Sequence, residues 1–157
     1  VIKDTDHGYR ALAKQILGFK EKPIVTVGIH AAEGQKEYQK GSGDTATVLD
    51  VGTFNEFGLG VPERSFVRAW ADAHKAECIE FLKSRMRLVA ARKITKEQCL
   101  EQFGLFLQTS MQKNISDGGD PEFTPNAPST IAQKGSSKPL IDTGILRSSI
   151  TYKVESK

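Results

Sequence analysis

Asp142, Thr143 and Gly144 follow the aliphatic pair Leu140 and Ile141 in the run "PLIDTGILRSSI". Asp-Thr-Gly is the tripeptide that carries the catalytic carboxylate of aspartic proteases. That chemistry needs two carboxylates sharing one proton, so a chain with a single motif must supply the second from another copy. It also needs a flap and a bracing strand beyond the motif. Only 13 residues follow Gly144 in this sequence, and nothing upstream repeats the tripeptide. The expected reading is a turn: Asp142 and Thr143 bond their own backbone, and Gly144 takes a positive φ.

Other chemistry-bearing residues are no better arranged. His7, His30 and His74 lack the spacing of metal ligands. Cys78 and Cys99 stand alone and are expected as reduced helix residues. The glycines of "GQKEYQKGSG" do not follow a strand and open a helix, as a phosphate-binding loop requires. No carboxylate pair is placed for acid–base work by anything in the spacing. No catalysis, cofactor or metal is expected.

The totals agree with a binding or structural role. The chain has 157 residues, 38% hydrophobic and 26% charged, with 22 Lys and Arg against 19 Asp and Glu. One domain with its own core is expected. A formal charge of +3 is too small to mark a nucleic-acid binder. A local cluster does form: Lys83, Arg85, Arg87, Arg92, Lys93 and Lys96 accumulate near the end of a helical stretch, and such a cluster suits DNA phosphates in an assembled ring. No apolar run reaches the length of a membrane span, and neither a membrane nor a secretory signal is expected.

These residues must be positioned by the following elements. Thr5 to Leu17 has helical periodicity through Tyr9, Leu12, Ala13, Ile16 and Leu17. "KPIVTVGIH" alternates Val25, Val27 and Ile29 with Thr26, Gly28 and His30, which predicts a strand. "AAEGQKEYQKGSGDTA" is polar and aperiodic, a long mobile loop near 31–46. Thr47 caps a short helix closed by Gly58, with a strand over Val48 to Phe54 as the alternative. A long helix is predicted from Arg64 to Arg92, with Phe66, Trp70, Ala73, Ile79, Leu82, Met86 and Val89 as its buried stripe. "TKEQ" opens a second long helix at Thr95 with a capping box, running toward Ile115. A second mobile loop is expected near 116–130, then a helical turn over Ser129 to Lys134. A closing strand is predicted in "ILRSSITYKV". The fold class is therefore α+β: a small, mostly antiparallel sheet packed against two long helices, with long loops.

Two blocks together resemble a family. In "VGTFNEFGLGVPERSFVRAW", Phe54, Asn55, Glu56, Phe57 and Gly58 form an aromatic-Asn-Glu-Phe-Gly block, and Pro62, Arg64, Phe66, Val67 and Arg68 a Pro-x-Arg-x-Phe-hydrophobic-Arg block. "PNAPSTIAQKGSSKPLIDTGILRSSITYKV" supplies a Pro-x-x-Thr segment, a Lys-Gly, and then Pro139, Leu140, Asp142, Thr143 and Gly144 before a final strand. This order is similar to that of bacteriophage tail-component and tail-completion proteins. Ser65 stands where a second proline is common, and "EFT" replaces an aromatic before "PNAP".

The resemblance implies a non-enzymatic virion protein at the neck or head-proximal end of the tail, made in the bacterial cytoplasm. It implies a ring-forming homo-oligomer, commonly a hexamer. The implied partners are a tail terminator or tail-tube protein and head-closure or connector proteins, with DNA possible in the lumen. The implied interaction and structural residues are the two motif blocks. Their local reading is a capping network: Asn55, Glu56 and Gly58 hold the short helix on the long one, and Arg64 and Arg68 tie down Glu56 or helix-end carbonyls. The alternatives are a DNA-contacting neck or connector protein and a protease using Asp142.

Overall fold

The computed structural model describes residue 10 and residues 22–38 and 46–155. The helix expected over Thr5 to Leu17, and His7 with it, lies outside the described residues except at Arg10. In chain order the elements are β1 (Ile24–Ile29), α1 (Ala31–Gly34), α2 (Val48–Phe57), α3 (Arg68–Ala90), α4 (Lys96–Asp117), α5 (Pro128–Lys134), α6 (Ile145–Ser148) and β2 (Ile150–Glu155). This is the α+β class the sequence predicts, with a two-stranded sheet among the described residues.

β1 pairs antiparallel with β2 from opposite ends of the chain, Val25 facing Val154, Val27 facing Tyr152 and Ile29 facing Ile150. Because side chains alternate along a strand, these three pairs share one face. That face lies on α4, and Val25, Val27 and Ile29 join the core there. Gly104 lets the helix come close: a Cβ at that position would stand 2.2 Å from the Tyr152 ring. Gln112 fastens the same contact by donating from Nε2 to the Ile150 carbonyl at 2.9 Å.

α3 lies antiparallel on the other side of α4. Trp70 Nε1 donates to Ser110 Oγ at 3.2 Å, Phe81 stacks on Phe106 with centroids 4.1 Å apart, and Arg85 reaches Gln102. The core fills the junction of the sheet, α2 and α4 with Val48, Phe66, Met111, Ile115, Leu146 and Ile150, all below 2% exposed.

Both cap predictions hold. Thr47 accepts from the Asp50 amide while Asp50 accepts from the Thr47 amide, and Thr95 and Gln98 do the same. Gly58 closes α2 at φ 68°, so the short-helix reading stands and the strand alternative falls. α5 appears where the helical turn was expected, begun by Pro128 and closed by Gly135.

Four expectations need correction. The long helix starts at Arg68 and not at Arg64, because the Arg64 amide is claimed by the Asn55 carbonyl at 2.7 Å and holds the chain off the helix. It ends at Ala90, before Arg92 turns to φ 57°. Its buried stripe is also rotated. Trp70 and Val89 are buried as expected, but Ala73 is exposed and Ile79 and Met86 are each 44% exposed, whereas His74, Cys78 and Phe81 are half-buried between them. Trp70 and Phe81 make the contacts with α4 on this side, through Ser110 and Phe106. Third, the closing strand begins only at Ile150, since Gly144 starts a helical turn in front of it. Finally, the segment from residue 31 is not all loop. It opens with α1, and Tyr38 donates to Ala46 while Val48 donates to Lys36, forming a bridge at Glu37 and Thr47. Residues 39–45 lie outside the described set.

Candidate interaction surface

The first motif block forms a clamp between α2 and α3. Val67, at the start of α3, has no side chain able to cap it. Glu56, the next-to-last residue of α2, supplies the cap from outside. Its carboxylate accepts from the Val67 amide at 2.9 Å, the Arg68 amide at 3.0 Å and Ser65 Oγ at 2.8 Å. The Arg68 guanidinium adds Nε at 2.9 Å and donates from Nη2 to the Glu56 carbonyl at 2.7 Å. An acid at a helix N-terminus satisfies orphan amides and meets the positive end of the dipole. Burial alone would push the Glu56 carboxyl up. The amides of Val67 and Arg68, with Ser65 and the Arg68 side chain, outweigh burial and hold it below its usual value. Arg68 also stacks over the Phe57 ring at 4.6 Å and pairs with Glu63 at 3.1 Å.

Arg64 joins the first block to the second. It is 8% exposed. Its guanidinium donates to the Thr124 carbonyl at 2.7 Å, the Pro125 carbonyl at 3.2 Å, Asn126 Oδ1 at 3.2 Å and Asn55 Oδ1 at 3.3 Å. Asn126 passes the tie onward, donating from Nδ2 to the carbonyls of Ser137 and Lys138. The fork geometry of a guanidinium makes this possible, and an ammonium could not reproduce it. Residues 124–126, part of the expected mobile loop, are thus bonded to the body of the fold. Asn126 and Ser65 escaped the sequence reading; the one local signal for Asn126 is a short polar residue between Pro125 and Pro128.

The Asp-Thr-Gly segment lies at a separate place. Leu140 is buried at φ 59°, and Gly144, at φ 79°, caps α6 through its carbonyl, which accepts from Ser148 at 3.0 Å. Thr143 Oγ1 accepts from the Ile145 amide at 3.4 Å. Asp142 sits near Tyr38 and Lys134. Burial, then the Asp142 charge, raises the Tyr38 phenol; burial lowers Lys134 against the pull of Asp142. Pro139 is half-buried ahead of this turn. Gly144 takes the expected positive φ and Thr143 bonds the backbone as expected, whereas no such bond joins Asp142 among the described residues, and the segment feeds a helical turn before the strand.

Around the clamp lie five of the nine exposed large hydrophobic residues among the described ones. Leu49, Phe54, Phe57, Leu59 and Val61 are 39–54% exposed within 13 consecutive positions, and Pro62 continues the patch. Phe66, by contrast, turns inward at 1%. Behind Leu49 and Phe57 a shallow groove of about 200 Å³ runs between α2 and β1, with Ile29, Gly52, Thr53 and Val67 in its walls. Gly52 allows the close approach, since a Cβ there would stand 2.8 Å from Ile29 Cδ1. Clustered exposed apolar side chains on a rigid support mark a binding surface.

Among the described residues no group of three or more His, Cys, Asp or Glu side chains is placed to hold a metal ion. His30 bridges the two strands, its ring nitrogens bonded to Thr26 Oγ1 and Thr151 Oγ1. Cys78 and Cys99 are free thiols on α3 and α4, both raised chiefly by burial. Among the described residues no helix is long and apolar enough to cross a membrane. No protein-family profile, no characterised protein and no solved structure matches the chain.

Proposed function

We propose that this protein is a non-enzymatic structural component of a tailed-phage virion, located at the neck or head-proximal end of the tail. In this reading copies assemble into a ring, commonly sixfold, that completes the tail or joins it to the head. Tail-terminator or tail-tube proteins lie on one side and head-closure or connector proteins on the other. The reading rests on the resemblance of the two motif blocks. The observation that carries it further is that Arg64 bolts those blocks together, while the clamp beside it carries five outward-facing apolar side chains. A surface so firmly backed suits repeated contacts between rigid subunits, and head-to-tail contacts close into a ring when their rotation permits.

Disruption of the gene in the phage genome tests this. The expected outcome is full heads without tails, together with free tails, and recovery of the chain from purified native virions. Normal particles from the disrupted genome would overturn the proposal.

A further inference from the structure

The α3–α4 hairpin is charged oppositely at its two ends. At the tip, where α3 turns into α4, Lys83, Arg85, Arg87, Arg92, Lys93 and Lys96 follow one another with no acidic residue between them. Arg87, Arg92 and Lys93 are exposed there. Toward the other end, roughly 20–30 Å away at 1.5 Å per helical residue, a pocket of about 300 Å³ opens between the first turns of α3 and the end of α4. Glu77, Asp117 and Asp120 line it together with Lys113, which already pairs with Asp117 and leaves the charges of Glu77 and Asp120 for a partner.

The pocket also holds an unmet donor. Asn114 is 7% exposed and lines the cavity, and its Nδ2 has no hydrogen-bond partner. An unpaired buried amide costs free energy until an acceptor arrives. Whatever enters must therefore bring positive charge for the carboxylates and a carbonyl for Asn114. The α3–α4 tip brings both: its Lys and Arg side chains carry the charge, and although the carbonyls of Arg87, Leu88 and Val89 accept from the Ala91, Lys93 and Arg92 amides, the exposed turn from Ala90 onward offers backbone beyond them.

We infer that the basic tip of the α3–α4 hairpin of one copy docks in the acidic pocket at the opposite end of the hairpin in the next copy. This contact is heterologous: each subunit offers one tip and one pocket, so it propagates head to tail and closes as a ring when the rotation between copies permits. The inference rests on the ring reading above, to which it adds the surfaces that meet and the charges that select them.

Paired charge reversals test it in the intact chain. Arg87→Glu with Lys93→Glu makes the tip acidic; Glu77→Lys with Asp117→Lys makes the pocket basic. Each variant alone should weaken self-association, followed by analytical ultracentrifugation, by about tenfold or more at low salt. Mixing the two variants restores both kinds of contact and should return the native assembly. Asn114→Leu supplies a readout independent of charge: it removes the unpaired amide, so association weakens while the free subunit's melting temperature does not fall.

Three outcomes would overturn the contact. If each reversal associates as the native chain does, copies meet elsewhere and the ring reading alone survives. If the tip reversal abolishes salt-sensitive binding to duplex DNA and leaves association unchanged, the tip serves DNA. If the native chain stays monomeric throughout, the contact and the ring fail together.

Discussion

Glu56 caps a helix to which it does not belong, accepting from the amide of Arg68 at 3.0 Å and from its guanidinium at 2.9 Å. One carboxylate thereby fixes the angle at which α2 meets α3, and with it the direction in which Phe57 and its neighbours face.

Glu56→Gln should therefore destabilise the fold by about 1–3 kcal/mol, the cost of weakening buried bonds to a charged group. The effect has a pH signature. A carboxyl whose folded pKa is depressed contributes stability above its unfolded value, near 4.5, and loses it as pH falls through the lower folded value. Denaturant titrations of the native chain should show this acid-side loss, and the Gln variant should show less of it.

Arg64→Lys keeps the charge and removes the fork. It should cost about 2 kcal/mol and free the segment around Thr124 to Asn126. Amide exchange should rise there while the β1 and β2 amides stay protected; an unchanged exchange pattern would refute the bolt.

Gly104→Ala sets two known effects against each other. Alanine favours a helix interior by about 1 kcal/mol, but its Cβ would press on Tyr152 at 2.2 Å. Overpacking costs about 1–3 kcal/mol, so net destabilisation is expected by thermal denaturation. Tyr152→Leu in the same chain should recover part of the loss.

At the Asp-Thr-Gly turn the two ends should behave differently. Gly144→Val forces a β-branched residue to φ 79° and should cost about 1–3 kcal/mol. Asp142→Asn should change stability little and leave particle assembly intact. Loss of function in a well-folded Asp142→Asn protein would overturn the turn reading.

Phe57→Ser with Leu59→Ser removes exposed apolar area without touching the core. Circular dichroism should be unchanged, and complementation of the disrupted genome should fail. Normal plaque formation would take this patch out of the assembly.

Features set by neighbouring residues were legible in the sequence. Thr47 with Asp50, Thr95 with Gln98, and the positive φ of Gly58 and Gly144 each follow from side chains within a few positions. The strand face of Val25, Val27 and Ile29 follows from simple alternation. Features set by distant partners were not. Arg64 finds Asn126 across 62 positions, and no local pattern announces that pairing. Ile79 and Met86 looked like core because they are apolar, yet among the described residues α3 packs chiefly on α4 over that stretch, and Trp70 and Phe81 take the contact. The helical turn in front of β2 was hidden for a similar reason: Leu146, Ser148 and Ile150 alternate as a strand would, and Gly144 redirects them.

Trp70 is the chain's single tryptophan, stacked on His74 with ring centroids 5.7 Å apart. His74 in turn forms part of the wall of the acidic pocket. The molecule thus carries a built-in optical reporter at one pole of its hairpin. Its fluorescence can follow subunits as they meet, in real time and without a label.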